Sequence, residues 1–158
     1  MVIGVGNALR HDDAAGLEVA RRLRTRAGAT QLLVREHEAE TLALLEAWAG
    51  ADAVLLIDAI RSGAPPGTIH RADASTEPIP EWLRGSSSTH AVGVGEAIEL
   101  ARALGRLPER VLVFGVEARR LDAGTGLSEE VERTLGRLAD AVLREARELA
   151  ANVGGRRP

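Results

Sequence analysis

The sequence predicts an α/β fold, a three-layer α-β-α sandwich around a mostly parallel, twisted sheet of about five strands. Three observations lead there. Short apolar runs alternate with stretches whose apolar residues recur at helical spacing, the pattern of a parallel sheet between two helical layers. The run Ala53 to Ile57 is apolar without interruption, as a central strand covered on both faces requires. The chain has 158 residues, the length of one domain, and a domain of that size buries roughly 68–70% of the surface its unfolded chain exposes.

The elements follow in order. Val2 to Val5 is a short buried strand that stops at Gly6-Asn7. Asp12-Asp13 precedes an amphipathic helix with Leu17, Val19, Ala20 and Leu23 on its inner face; acids at a helix start cap orphan N–H groups and meet the positive end of the dipole. Leu32 to Arg35 reads as a second strand, and Thr41 to Trp48 as a second helix with Leu42, Leu45 and Ala49 at helical spacing. Ala53 to Ile57 ends in Asp58. The cluster Gly63-Ala64-Pro65-Pro66-Gly67 is a turn, and Thr68 to Arg71 reads as an edge strand. Residues 73 to 92 form a long irregular stretch, of the kind that carries function in a compact domain. Val94 to Leu104 returns to helix, with Ala97, Ile98, Ala101 and Leu104 on one face. Arg110 to Val116 is the next strand. Ser128-Glu129-Glu130 opens the longest helix, striped by Val131, Leu135, Leu138, Val142 and Leu149. Residues 1–152 are expected to form a single domain, and 153–158 a disordered tail with nothing to bury.

Composition narrows the function. One Phe, two Trp, one Met and no Tyr leave the core to Leu, Val, Ile and Ala. The net charge is −3, and every basic residue is Arg. No basic stripe with interleaved aromatics exists, so a nucleic-acid partner is not expected. With no cysteine, disulfides, zinc ribbons and thiol nucleophiles drop out, in keeping with a reducing cytosol. The opening Met1 to Asn7 lacks the charged region and cleavage site of a signal peptide, and no apolar run approaches the ~20 residues of a membrane span. Gly4-Val5-Gly6 starts a dinucleotide fingerprint, but Leu9 stands where its third glycine belongs.

What remains is a set of dispersed polar groups. In open parallel sheets ligands bind beyond the carboxyl ends of the strands. Asn7, Asp58 and Glu117 each follow a predicted strand, Asp13 lies in the loop after the first strand, and His90 lies in the long loop before the third major helix. One edge of the sheet can therefore gather them. Two carboxylates brought together resist double ionisation unless a cation joins them, and a neutral imidazole suits nickel, zinc or iron. Three protein ligands with a free position suit a working site rather than a structural one. Singly, each residue also has an ordinary role: Asp12 as a helix cap, Asp58 as a turn former, His90 as a loop hydrogen-bonder, and His11 as a surface residue or a fourth ligand.

Four motifs in order carry a family resemblance: Gly4-Val5-Gly6-Asn7-Ala8-Leu9-Arg10-His11-Asp12-Asp13-Ala14-Ala15-Gly16; Leu56-Ile57-Asp58-Ala59; Ser87-Ser88-Thr89-His90 followed by Gly93; and Phe114-Gly115-Val116-Glu117 through Gly126-Leu127-Ser128. Over about residues 2 to 150 the chain resembles the hydrogenase maturation proteases. It departs from them in having Ala14 where the family often has Gly, and Ala39-Glu40 where it tends to have Gly. The resemblance implies a cytoplasmic endopeptidase that removes the C-terminal peptide of a nickel-loaded hydrogenase large-subunit precursor. The nickel is supplied by that precursor, and a surrogate divalent metal would use the same ligands. Asp13, Asp58 and His90 are the implied metal ligands, with Asp13 and Asp58 as catalytic candidates. Asn7, Asp12 and Glu117 are assigned to ordering the site from behind. No membrane partner is expected, and a monomer is favoured. Two other readings stay open: a non-catalytic nickel- or precursor-binding maturation factor, and a small-molecule or nucleotide-binding α/β protein.

Overall fold

A computed structural model describes residues 1–26, 32–38, 40–84 and 93–154. Strand β1 (Val2–Val5) leads through a single 3-10 turn (His11–Ala14) into α1 (Ala15–Arg26). There follow β2 (Val34–His37), α2 (Thr41–Ala47), β3 (Ala53–Ile60), β4 (Ile69–Asp73), α3 (Glu81–Arg84), α4 (Val94–Ala103), β5 (Arg110–Glu117) and α5 (Glu129–Gly154). The sheet has five strands in the order β2-β1-β3-β5-β4. β2, β1, β3 and β5 run parallel, while the edge strand β4 pairs antiparallel with β5. The expected α/β sandwich on a mostly parallel sheet is what forms.

Strand alternation sends successive side chains to opposite faces, and each face builds its own core. Val2, Leu55, Ile57, Leu112, Phe114 and Val116 pack against Val19 and Leu23 of α1 and Leu135, Leu138 and Val142 of α5. Ile3, Val5, Leu56, Val111 and Val113 pack against Leu44, Leu45 and Trp48 near α2 and Val94 and Ile98 of α4. Fully burying such a side chain is worth roughly 1.5–3 kcal/mol. α4 is capped by Gly93, whose N–H donates to the Glu96 carboxylate at 2.9 Å.

Several boundaries differ from the sequence reading. β3 runs three residues past Ile57 and β5 one past Val116, because the two strands pair in register over eight positions, from Ala53 opposite Arg110 to Ile60 opposite Glu117. Asp58 and Glu117 therefore sit inside strands rather than beyond them. β2 lies two residues later than expected. A short helix, α3, interrupts the stretch read as irregular. Leu42 is 67% exposed, and the buried face of α2 is Leu44, Leu45 and Trp48 instead. At about 100° per residue Leu42 lies about 200° around the helix from Leu44. Leu104, expected inside, caps α4 and is exposed. α5 continues through Gly154, past the expected start of the tail, and residues 155–158 lie outside the described residues.

Candidate active site

The site is set by how α1 starts. A Cβ on Gly16 would stand 2.3 Å from the carbonyl oxygens of both Val5 and Ile57. Only glycine lets the helix press its first turn against the end of β1 and the neighbouring stretch of β3. At Gly6, φ is +151°, and a Cβ there would meet the Asp13 carbonyl oxygen at 1.8 Å. The intervening loop is tied by Asn7, whose side-chain oxygen accepts the Leu9 N–H at 2.8 Å and whose carbonyl accepts the Arg10 N–H at 3.2 Å. Such a turn is a local asparagine habit. These contacts bring Asp13 up to Asp58, the residue after Ile57. The place is also topologically special. From β1 the chain leaves through α1 on one face to β2, and from β3 it goes by way of β4 to α4 on the other face. Neighbouring strands whose connections diverge leave a crevice at their carboxyl ends.

Asp13 and Asp58 are both buried, at 5% and 4% exposure. Burial raises the Asp58 pKa to about 8, with the neighbouring charge of Asp13 adding to it and a hydrogen bond from the Ala59 N–H opposing. Arg10 stands on the other side of Asp13, its guanidinium 3.9 Å from the carboxylate, and donates to the Leu121 carbonyl. Its role was not assigned from sequence, although a cation three residues before an acid on a helical turn is a readable signal. His90 lies outside the described residues. Among the described residues no three His, Asp or Glu side chains gather as a metal cluster; Asp13 and Asp58 supply two donors. Their chemistry suits a cation, because a divalent ion would relieve the charge repulsion and dehydration that hold Asp58 protonated.

Asp12 does not cap the helix that follows it, as the sequence suggested. It is fully buried and accepts hydrogen bonds from the N–H groups of Arg119, Arg120 and Ser128 and from the Ser128 hydroxyl, at 2.6–2.9 Å. Burial pushes its pKa up, but the bonds from Ser128, Arg120 and Arg119 outweigh that and hold it below the ordinary value. Asp12 thus fastens the β5–α5 loop to the turn that carries Asp13. His11 is part of the same clamp rather than a surface residue. Its side chain is 13% exposed, and its Nδ1 lies 3.1 Å from both the Gly126 carbonyl oxygen and the Arg120 guanidinium. Glu117 turns to the other side of the site. Its carboxylate accepts the N–H groups of Ser62 and Gly63 and the Ser62 hydroxyl at 2.8–3.0 Å, which secures the loop leaving β3.

Comparison with known proteins places the chain beside one family. Residues 18–145 match the family model described as HycI, hydrogenase maturation protease. The hydrogenase expression/formation protein HupD of Thiocapsa roseopersicina is 30% identical over 126 residues, which is 77% of this chain and 55% of that protein; this chain thus spans little more than half of that relative's length. The hydrogenase 2 maturation protease of Escherichia coli is 27% identical over 150 residues, covering 94% of this chain and 90% of that one. The solved structure of the hydrogenase maturating endopeptidase HybD from E. coli superposes with a TM-score of 0.80 at 28% identity, covering 93% of this chain and 91% of that one. Because the family model spans residues 18–145, well over half of the sequence, this chain belongs to the hydrogenase maturation protease family.

Proposed function

We propose that the protein is an endopeptidase that removes the C-terminal peptide of a nickel-loaded hydrogenase large-subunit precursor, and that it recognises the precursor through the nickel it carries. The observation that carries this reading is the pairing of Asp13 with Asp58. A buried carboxyl whose pKa stands at about 8 beside a second carboxylate is costly to ionise and is relieved by a cation. Asp13, Asp58 and His90 hold the substrate's nickel, which fixes the scissile bond against the sheet edge. A bound cation would favour the ionised form of Asp58, and Asp13 or Asp58 would take a proton from the attacking water as general base. Arg10 and Asp12 keep Asp13 in place, and Glu117 and Asn7 order the flanking loops. An empty precursor offers nothing to grip, which gives selectivity for the loaded form. The protein acts as a monomer in the cytoplasm.

The test is incubation of the purified protein with nickel-loaded and nickel-free precursor, followed by mass spectrometry. A shortened product is expected from the loaded form only, and none from Asp58→Asn or His90→Ala variants that remain folded. Equal cleavage of both precursor forms would remove the role of nickel. Stable capture of the precursor by the wild-type protein without any product would leave a binding factor instead.

A further inference from the structure

Asp58 pairs in register with Gly115 on β5, and Gly115 pairs with His70 on β4, so the three positions form one row across the sheet. With side chains alternating, this row lies on the face that carries Leu56 and Val113. The missing side chain at Gly115 is filled from above. A Cβ there would meet Cζ3 of the Trp82 indole at 2.9 Å and Cδ1 of Ile60 at 3.0 Å. The same indole lies against the His70 ring, with centroids 5.2 Å apart and planes tilted by 34°. Trp82 is thus set down on the sheet one strand away from Asp58, anchored by His70 on one flank and by the core on another. Its anchoring is incomplete. Of the three Phe and Trp side chains, Phe114 and Trp48 are 2% and 1% exposed, while Trp82 remains partly exposed. A partly exposed indole held over Gly115, one strand from a buried carboxyl, is the kind of surface on which apolar partner groups gain most.

We propose that Trp82 is a specificity-determining residue of the cleavage reaction. Its indole is an apolar wall that receives an apolar side chain flanking the scissile bond of the precursor. The assignment rests on the endopeptidase reading above, and it adds a contact made by protein rather than by metal. Gly115 serves it indirectly, since any larger residue would lift the indole away from Asp58.

The test is a double-mutant cycle on kcat/KM. Trp82→Ala is combined with nickel-loaded precursors in which each residue flanking the scissile bond is replaced in turn by serine. Loss of apolar contact at a pocket is worth about 10- to 200-fold, so Trp82→Ala and the serine precursor should each lose that much. Together they should lose hardly more than either alone, at one of the two flanks. Trp82→Phe should restore cleavage of the natural precursor to within a few-fold. If Trp82→Ala melts below the assay temperature, Trp82→Gln replaces it in the cycle. Losses that multiply at both flanks would overturn the assignment of Trp82 and leave the endopeptidase reading intact. Absence of cleavage by the wild-type protein would overturn both.

Discussion

Asp12 and Asp58 are buried carboxylates at the same edge of one sheet, and the fold treats them in opposite ways. Asp12 receives four hydrogen bonds from the far end of the chain and keeps its charge. Asp58 is helped by the N–H of Ala59 and opposed by burial and by the charge of Asp13, so its pKa rises to about 8. Asp12 is surrounded by donors, whereas Asp58 is left short of them. Perturbed acids in clefts gather at functional sites for this reason. The contrast also separates two kinds of stability. Asp12 stabilises the fold in its ionised form, whereas ionised Asp58 destabilises it.

Four experiments can break or sharpen that contrast. The largest effect is expected from Asp58→Asn, which should abolish cleavage of the loaded precursor while raising the melting temperature. The folded pKa of Asp58 lies above its ordinary value of 3.8, so the folded state keeps a proton that the unfolded state releases. The contribution of Asp58 to stability therefore falls as pH rises from about 4 to about 8. The advantage of the asparagine variant should be smallest below pH 4 and largest above pH 8, as read by thermal unfolding across that range. A variant less stable than wild type at pH 8 would show that Asp58 is a structural acid after all.

Next comes Asp12→Ala, which strips the acceptor from three backbone N–H groups and a hydroxyl. A loss on the order of 3–5 kcal/mol is expected, or about 10 °C in melting temperature for a domain of this size. Its pH signature should be the reverse. The folded pKa of Asp12 is lowered, so its stabilisation is present above pH about 4 and fades as acid protonates the folded carboxylate. Asp12→Ala should thus flatten the acid limb of the stability curve.

A smaller effect is expected from Glu117→Gln, which keeps one acceptor oxygen but loses the charge that Ser62 and Gly63 address. About 1–2 kcal/mol should disappear in urea unfolding. The smallest belongs to Leu42→Ser. Because Leu42 is 67% exposed, its stability should stay within about 0.5 kcal/mol of wild type. A loss of about 2–5 kcal/mol, typical of a buried leucine, would place it inside.

The pattern of the chain made some of this legible early. Helical spacing of Leu17, Val19, Ala20 and Leu23 and the stripe from Val131 to Val142 named the inner faces of α1 and α5 correctly, because long amphipathic segments report their burial through period alone. The same rule failed for Leu42, since a seven-residue helix offers too few turns to separate one apolar face from another. The acids at positions 12 and 13 were legible as a pair near the sheet edge. Their division of labour was not, because the partners of Asp12 lie more than 100 residues away. The surface placement of His11 failed for the same reason: its neighbours are Arg120, Gly124 and Gly126. Trp82 carried no signal in its own neighbourhood, and its place over Gly115, the β5 partner of Asp58, is visible only through the pairing of β3 with β5 and β4.

By itself, then, the sequence determined the layered α/β architecture, the apolar strands and long helices, and the order of the motifs, since these depend on local period and composition. Tertiary structure alone decided which carboxylate keeps its charge and which side chains stand beside Asp58. Those outcomes depend on donors and neighbours delivered from distant segments, and a carboxylate's pKa is set by what surrounds it in space rather than by what adjoins it in the chain.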